Sequence, residues 1–128
     1  MKIVRFKELN FIPASHEDPK NPGALKKVLF KKEELDPGRI QMINWARIPV
    51  GKSFAPHYHE DMFEVFIIMK GKVKIRVDSE EEILEEGDGV IVSEKQVHEM
   101  TNLSSSDVDY IAMGVAKQPG GKTINVGR

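Results

Sequence analysis

Three of the chain's four histidines, His57, His59 and His98, lie in a segment dense in strand signals, and the first two alternate as His57-Tyr58-His59. On an extended strand that spacing puts both imidazoles on one face, with Cα atoms roughly 6.5–7 Å apart, a separation that two ligands of one metal ion bridge. Tyr58 points off that face and is no candidate for a catalytic acid. Glu64 follows His59 by five residues, an odd offset that would place it on the opposite face of a continuous strand. The intervening Glu60-Asp61-Met62 is polar enough to turn. A turn there starts a neighbouring antiparallel strand, on which Glu64 faces the same interior as the histidines and shares its face with Phe66 and Ile68. A carboxylate in such apolar surroundings needs a proton or a cation. A divalent metal supplies the cation.

The elements that must position these groups are short strands separated by turn signals. Residues 39–50 form one run, stopped by Pro49 and Gly51, and residues 63–69 another, ended by Lys70-Gly71 as a tight hairpin. Residues 72–77 alternate cleanly, with Val73, Ile75 and Val77 on one face and Lys72, Lys74 and Arg76 on the other. Residues 82–84, 90–92, 97–101 and 108–115 complete the series. Strands at this spacing predict an all-β antiparallel sandwich or barrel.

The first third is less regular. Residues 1–9 read as a strand, and residues 10–23 as a loop or extended arm broken by Pro13, Pro19, Pro22 and Gly23. Residues 24–35 have the composition of a helix, yet Val28-Leu29-Phe30 reads equally as a strand core. Asp36-Pro37-Gly38 closes them with strong turn chemistry. The resulting division is an N-terminal strand and arm over 1–38, a barrel over 39–116 and a loose tail over 117–128, which begins at Lys117 and contains Pro119-Gly120-Gly121. The arm is too polar and broken to join the barrel core.

Composition narrows the function classes. The 128 residues are one domain's worth of chain, with 40% hydrophobic and 30% charged residues. Nineteen Lys and Arg nearly balance twenty Asp and Glu, leaving no basic surplus to track a nucleic-acid backbone. The longest apolar runs are far too short to span a bilayer and carry charges, and Lys2, Arg5, Lys7 and Glu8 interrupt any signal-peptide stretch. With no cysteine, disulfides and thiolate metal sites are excluded. A cytoplasmic protein without membrane or nucleic-acid partners is expected.

Gly51-x5-His57-x-His59-x4-Glu64-x6-Gly71 resembles the first cupin motif at every defining position. Gly87-x5-Ser93-x-Lys95-x2-His98-x3-Asn102 resembles the second in its Gly, His and Asn, with Ser93 and Lys95 in place of the turn Pro and Gly. The resemblance covers about residues 39–115. It implies a cupin (jelly-roll) antiparallel β-barrel with an irregular N-terminal arm, the arm packing on the barrel or on a partner subunit of a homodimer. The metal ligands it implies are His57, His59, Glu64 and His98, a set suited to Mn, Fe, Co, Ni, Cu or Zn rather than Mg or Ca.

For the substrate pocket the candidates are Met100, which alternates with His98 and Asn102, together with Phe66, Arg47 and Trp45. Arg47 is either a clamp for a substrate carboxylate or an outward, solvated charge. Trp45 is either core or pocket wall, because strand parity does not carry through Pro49 and Gly51. Met62, Met69 and Met113 read as core filling, and His16, in the loop Ser15-His16-Glu17-Asp18, as solvated. The resemblance implies a metalloenzyme acting on a small oxygen-bearing molecule, of dioxygenase, isomerase or decarboxylase type. The alternative is a non-catalytic module that holds a sugar or other small metabolite. Oxalate decarboxylation would also need a lid carboxylate, for which Glu94 at the rim is the candidate.

Overall fold

The alternation read from the sequence sets which side of each strand turns inward. A computed structural model describes residues 1–35, 38–116 and 122–127. Its strands are β1 (Ile12–Pro13), β2 (Leu25–Lys31), β3 (Ile40–Ile48), β4 (His57–His59), β5 (Met62–Lys70), β6 (Lys72–Val77), β7 (Glu80–Glu85), β8 (Gly89–Val92), β9 (His98–Asn102), β10 (Val108–Ala116) and β11 (Thr123–Asn125). They form two antiparallel sheets, one ordered β1-β2-β3-β10-β5-β8 and the other β11-β4-β9-β6-β7. The sheets face each other as in a jelly roll rather than closing into one strict barrel. No helix among the described residues is long and apolar enough to cross a membrane.

Inward residues divide the interior lengthwise. Along β5, Met62 and Glu64 occupy one end, Phe66 the middle and Ile68 the other end, all buried. Ile48, Ile68, Val73, Ile75, Met100 and Val108 pack the far end as a core, each contributing roughly 1.5–3 kcal/mol by its burial. Asn102 closes that end. Its Nδ2 donates to the carbonyls of Ile48 and Ser106 while its Oδ1 accepts from the Ser104 amide, fixing the turn from β9 to β10. The hairpin at Gly71 requires glycine, since φ is +95° and a Cβ would lie 2.6 Å from Val108 Cγ2.

Several expectations are corrected here. Residues 1–9 form no strand: Phe6–Glu8 is a single 3-10 turn, and the Phe6 ring packs edge-on against Trp45 at 5.2 Å. The helix-like composition of residues 24–35 yields to pairing with β3. Leu25–Lys31 is a strand, and only Lys32–Glu34 turns, as 3-10 helix. The arm does reach the interior, because Ala24 is fully buried in the core and Glu17 is buried beside it. The tail is not loose throughout, since Thr123–Asn125 pairs with β4. Asp36 and Pro37 of the expected turn, and Pro119-Gly120-Gly121, lie outside the described residues.

Candidate metal centre

Two inward positions on β4, one on β9 and one on β5 converge between the sheets. Cross-strand pairing places His98 directly opposite His57, and His59 follows on the same face of β4. Glu64 reaches in from the facing sheet, where it pairs with Val92 and Gly114. The turn between β4 and β5 therefore does what the odd spacing of His59 and Glu64 demanded. None of the four is more than 5% exposed, and one donor atom from each lies within 4.8 Å of all the others.

The donor atoms are aimed at one point. Glu64 Oε1 lies 2.5 Å from His59 Nε2, 3.2 Å from His98 Nε2 and 3.8 Å from His57 Nε2. The outer ring nitrogens are committed elsewhere. His57 Nδ1–H donates to the Ala55 carbonyl at 2.6 Å and His98 Nδ1–H to the Gln96 carbonyl at 3.0 Å. His59 Nδ1 bonds the Thr123 hydroxyl at 2.9 Å. A carbonyl only accepts, so His57 and His98 carry their proton on Nδ1 when neutral and turn an Nε2 lone pair inward, the tautomer a metal ligand needs.

Electrostatics make the same demand. Burial pushes the Glu64 carboxyl up, but the three imidazoles that surround it, those of His57, His59 and His98, outweigh it and hold the group well below the usual carboxylate range. Burial holds His57 down to about 4, with Glu64 offsetting only part of the effect. His57 Nε2 is buried and has no hydrogen-bond partner. Lone pairs of neutral imidazoles facing an ionised carboxylate in a dry pocket repel unless a cation sits among them. Three imidazoles and one carboxylate fit a divalent transition metal.

A cavity of about 460 Å³ opens beside this cluster, with His59, Glu64, Phe66, Tyr110, Ala112 and Asn44 among its walls. The predicted site residues divide around it. Phe66 lines the cavity. Met100 is fully buried in the core and does not line it, because strand parity gives the face but not the depth. On β3 the buried positions are Asn44, Ala46 and Ile48, so Trp45 and Arg47 face the other way. Arg47 makes a bidentate pair with Asp109, Nε to Oδ1 at 2.6 Å and Nη2 to Oδ2 at 2.9 Å, under the Phe11 ring. It clamps a neighbouring strand, not a ligand. Glu94, in the turn between β8 and β9, is not among the cavity walls. In that turn Lys95 takes φ +64°, the conformation for which the motif's glycine is suited, and its amide donates to the His59 carbonyl at 2.8 Å.

Three contributors to the site escaped the sequence reading. Thr123 orients His59 from the C-terminal strand. His16 is not free in solvent; its ring stacks on His57 at 4.0 Å between centroids and lines the cavity. Glu17 anchors that arrangement. Its Oε1 accepts from the Gly23 amide at 2.6 Å, and its Oε2 accepts from the Ala55 amide at 2.6 Å and pairs with His16 Nδ1 at 2.8 Å. No local signal marks any of the three, since Glu17 and Ala55 are 38 residues apart and His59 and Thr123 are 64.

Known proteins resemble the chain in the same terms. The fold aligns with a predicted oxalate decarboxylase from Thermotoga maritima at a TM-score of 0.79 and 21% identity, over 90% of this chain and 99% of that one. It aligns with the polyketide cyclase RemF from Streptomyces resistomycificus at 0.78 and 15% identity, over 100% and 87%. With KdgF from Halomonas sp. the values are 0.73 and 16%, over 93% and 96%. At these identities the likeness is one of fold. No curated protein matches the chain in sequence. The cupin domain model matches residues 44–114, more than half of the chain and the stretch that holds all four inward-facing donors. With the jelly-roll sheets and the His57, His59, Glu64 and His98 cluster in place, the chain belongs to the cupin family.

Proposed function

We propose that this cupin is a metal-dependent enzyme that acts on a small oxygen-bearing metabolite, of dioxygenase, isomerase or decarboxylase type. The observation that carries the reading is the inward convergence of three Nε2 atoms on one buried carboxylate oxygen, with His57 Nε2 lacking any partner. A transition metal held there supplies Lewis acidity toward an anionic substrate oxygen. The chain's own groups do the rest. The Ala55 and Gln96 carbonyls and the Thr123 hydroxyl fix the imidazole orientations. Phe66, Phe54 and Ala112 form apolar cavity wall that limits water beside the reacting centre. Burial pushes the Tyr110 phenol far up, so it faces the cavity as a neutral group.

The test is elemental analysis of untagged protein beside His57→Ala and Glu64→Ala. About one transition metal per chain in the wild type, lost in both variants, supports the proposal, and the identity of the metal selects the reaction class to assay. Wild type that stays metal-free after incubation with Mn, Fe, Ni and Zn would sink it, leaving a metabolite-binding module with the histidines as direct contacts.

A homodimer is part of the same proposal. On the outer face of the larger sheet Ile67 and Ile91 are exposed beside half-buried Val65 and Ile111, an apolar strip suited to a second copy. A monomer mass at micromolar concentration would refute it.

A further inference from the structure

The cavity wall away from the metal ligands holds polar groups that no described residue satisfies. Asn44, on the inner face of β3, is 7% exposed and lines the cavity, and its Oδ1 is buried without a hydrogen-bond partner. Gln41, at the start of the same strand, also lines the cavity. Its Nε2 donates to the Arg39 carbonyl, while its Oε1 is buried and unpartnered. Buried acceptors in folded proteins ordinarily find a donor. Two orphaned amide oxygens in one cavity describe a place where a ligand brings the donors.

The rest of the lining narrows what those donors are. An ammonium or a hydroxyl would serve, but the lining sets three lysines, Lys26, Lys31 and Lys32, against Glu33 and the metal-facing Glu64, a positive balance that disfavours a cationic ligand while attracting an anionic one. The donors are therefore hydroxyls on an anion. Register gives the span. Asn44 pairs with Ala112 and Ala112 with Phe66, two strands across from β5 and one same-face step along from Glu64. Two strand spacings of about 4.8 Å and one step of about 6.8 Å separate the Cα atoms of Asn44 and Glu64 by about 12 Å. Both side chains stand on the same face of this sheet, so the gap is spanned by an acyclic ligand of about four to six carbons together with its hydrogen bond to Asn44 and its contact at the metal centre.

We infer that the cavity selects a polyhydroxylated carboxylic acid, its carboxylate end at the metal centre and its distal hydroxyls on Asn44 and Gln41, with Asn44 the main determinant. The inference rests on the metal-dependent reading above.

The experiment uses the full chain loaded with Co(II). Calorimetry measures the binding of threonate, xylonate, gluconate and galactonate, each against the 2-hydroxy acid of the same chain length without distal hydroxyls. The visible cobalt spectrum reports whether each acid reaches the metal. In wild type at least one aldonate binds tenfold or more tighter than its deoxygenated partner, about 1.4 kcal/mol. In Asn44→Leu that preference falls below threefold, while cobalt content, binding of the 2-hydroxy acid and Tm are kept. Asn44→Ala serves in its place if the leucine variant does not fold. A wild type that prefers no aldonate, or a preference that survives at Asn44→Leu, overturns the inference while a responsive cobalt spectrum leaves the metal reading standing. Failure to bind cobalt, or a spectrum that no acid perturbs, overturns the metal reading and the inference with it.

Discussion

Glu17→Gln is expected to lower the Tm by about 10 °C at neutral pH, with the loss fading in acid. The carboxylate meets the Gly23 amide through one oxygen and the Ala55 amide and His16 through the other. A carboxamide keeps one acceptor oxygen, so one of the two backbone N–H groups must lose its partner. The magnitude follows from the ionisation equilibrium. Burial pushes the Glu17 carboxyl up, yet the bonds from His16, Ala55 and Gly23 outweigh it and hold the group down at about 2, against an ordinary 4.5. That difference is worth about 3 kcal/mol in favour of the folded state once the group is ionised. Two or three charge-assisted hydrogen bonds at roughly 1.5–3 kcal/mol each, less the cost of burial, give a figure of the same size. For a domain of this length about 1 kcal/mol moves Tm by about 4 °C.

The sign of the pH dependence is fixed because the folded-state value is the lower one. The unfolded chain binds its proton first, so the contribution is complete above pH 4.5 and is lost as the pH falls toward 2. The stability gap between wild type and Glu17→Gln should therefore shrink from about 3 kcal/mol at pH 7 to about 1.4 kcal/mol at pH 3. Urea denaturation with EDTA present, at pH 7, 5 and 3, measures it without interference from bound metal. A gap below about 0.5 kcal/mol at pH 7, or one that stays the same from pH 5 to pH 3, would refute the claim that the ionised carboxylate pins the arm.

The other predictions concern the site and the turns that hold it. Thr123→Ala removes the partner of His59 Nδ1 and should weaken metal binding by about 10–100-fold in chelator competition, with Thr123→Ser restoring most of it; unchanged affinity would deny Thr123 that role. Burial holds His57 at about 4 against 6.5, so the metal-free protein should lose up to about 3 kcal/mol as the pH falls from 6.5 to 4, because the unfolded chain protonates first. His57→Gln should remove that slope in urea denaturation, and an equally steep slope in the variant counts against it. Gly71→Ala should cost about 2 kcal/mol or more, since its Cβ meets Val108 Cγ2 at 2.6 Å in a left-handed turn. Gly114→Ala should cost less, because the atoms its Cβ meets at 2.8 Å are the Sδ atoms of Met42 and Met62, at the ends of flexible side chains; urea midpoints for the pair test the order.

What was legible in the sequence was whatever repeats over short distances. Alternation along one strand put His57 and His59 on a common face, and a polar turn followed by a second alternating run carried Glu64 to meet them. The same parity placed Met100 on the inner face, correctly, but parity holds no information about depth, and Met100 sits in the core while the cavity opens beside His59 and Glu64. Trp45 is undecided in the sequence because Pro49 and Gly51 break the count, and Arg47 because a lone charge on an apolar strand suits either a ligand clamp or an outward position. Residues 24–35 show composition overridden by pairing: Lys, Leu and Glu suit a helix, yet β3 offered an open edge that residues 25–31 complete.

The illegible parts have one physical cause, and it bears on where specificity resides. Glu17 with Ala55 and His59 with Thr123 are contacts across 38 and 64 residues, and no local pattern encodes them. They come from the segments before residue 44 and after residue 114, outside the stretch that matches the cupin domain. That stretch supplies all four donors, which a metal needs in fixed types and geometry, and so their spacing is recognisable. The flanks supply the hydroxyl behind His59, which serves the metal site, and also His16 over His57 and the lysines of the cavity lining, neither of which metal binding dictates. Groups free of the metal's demands are the ones that can differ to suit a particular ligand. The flanking segments, together with Asn44 at the edge of the matched stretch, are therefore where this chain's choice of ligand is written.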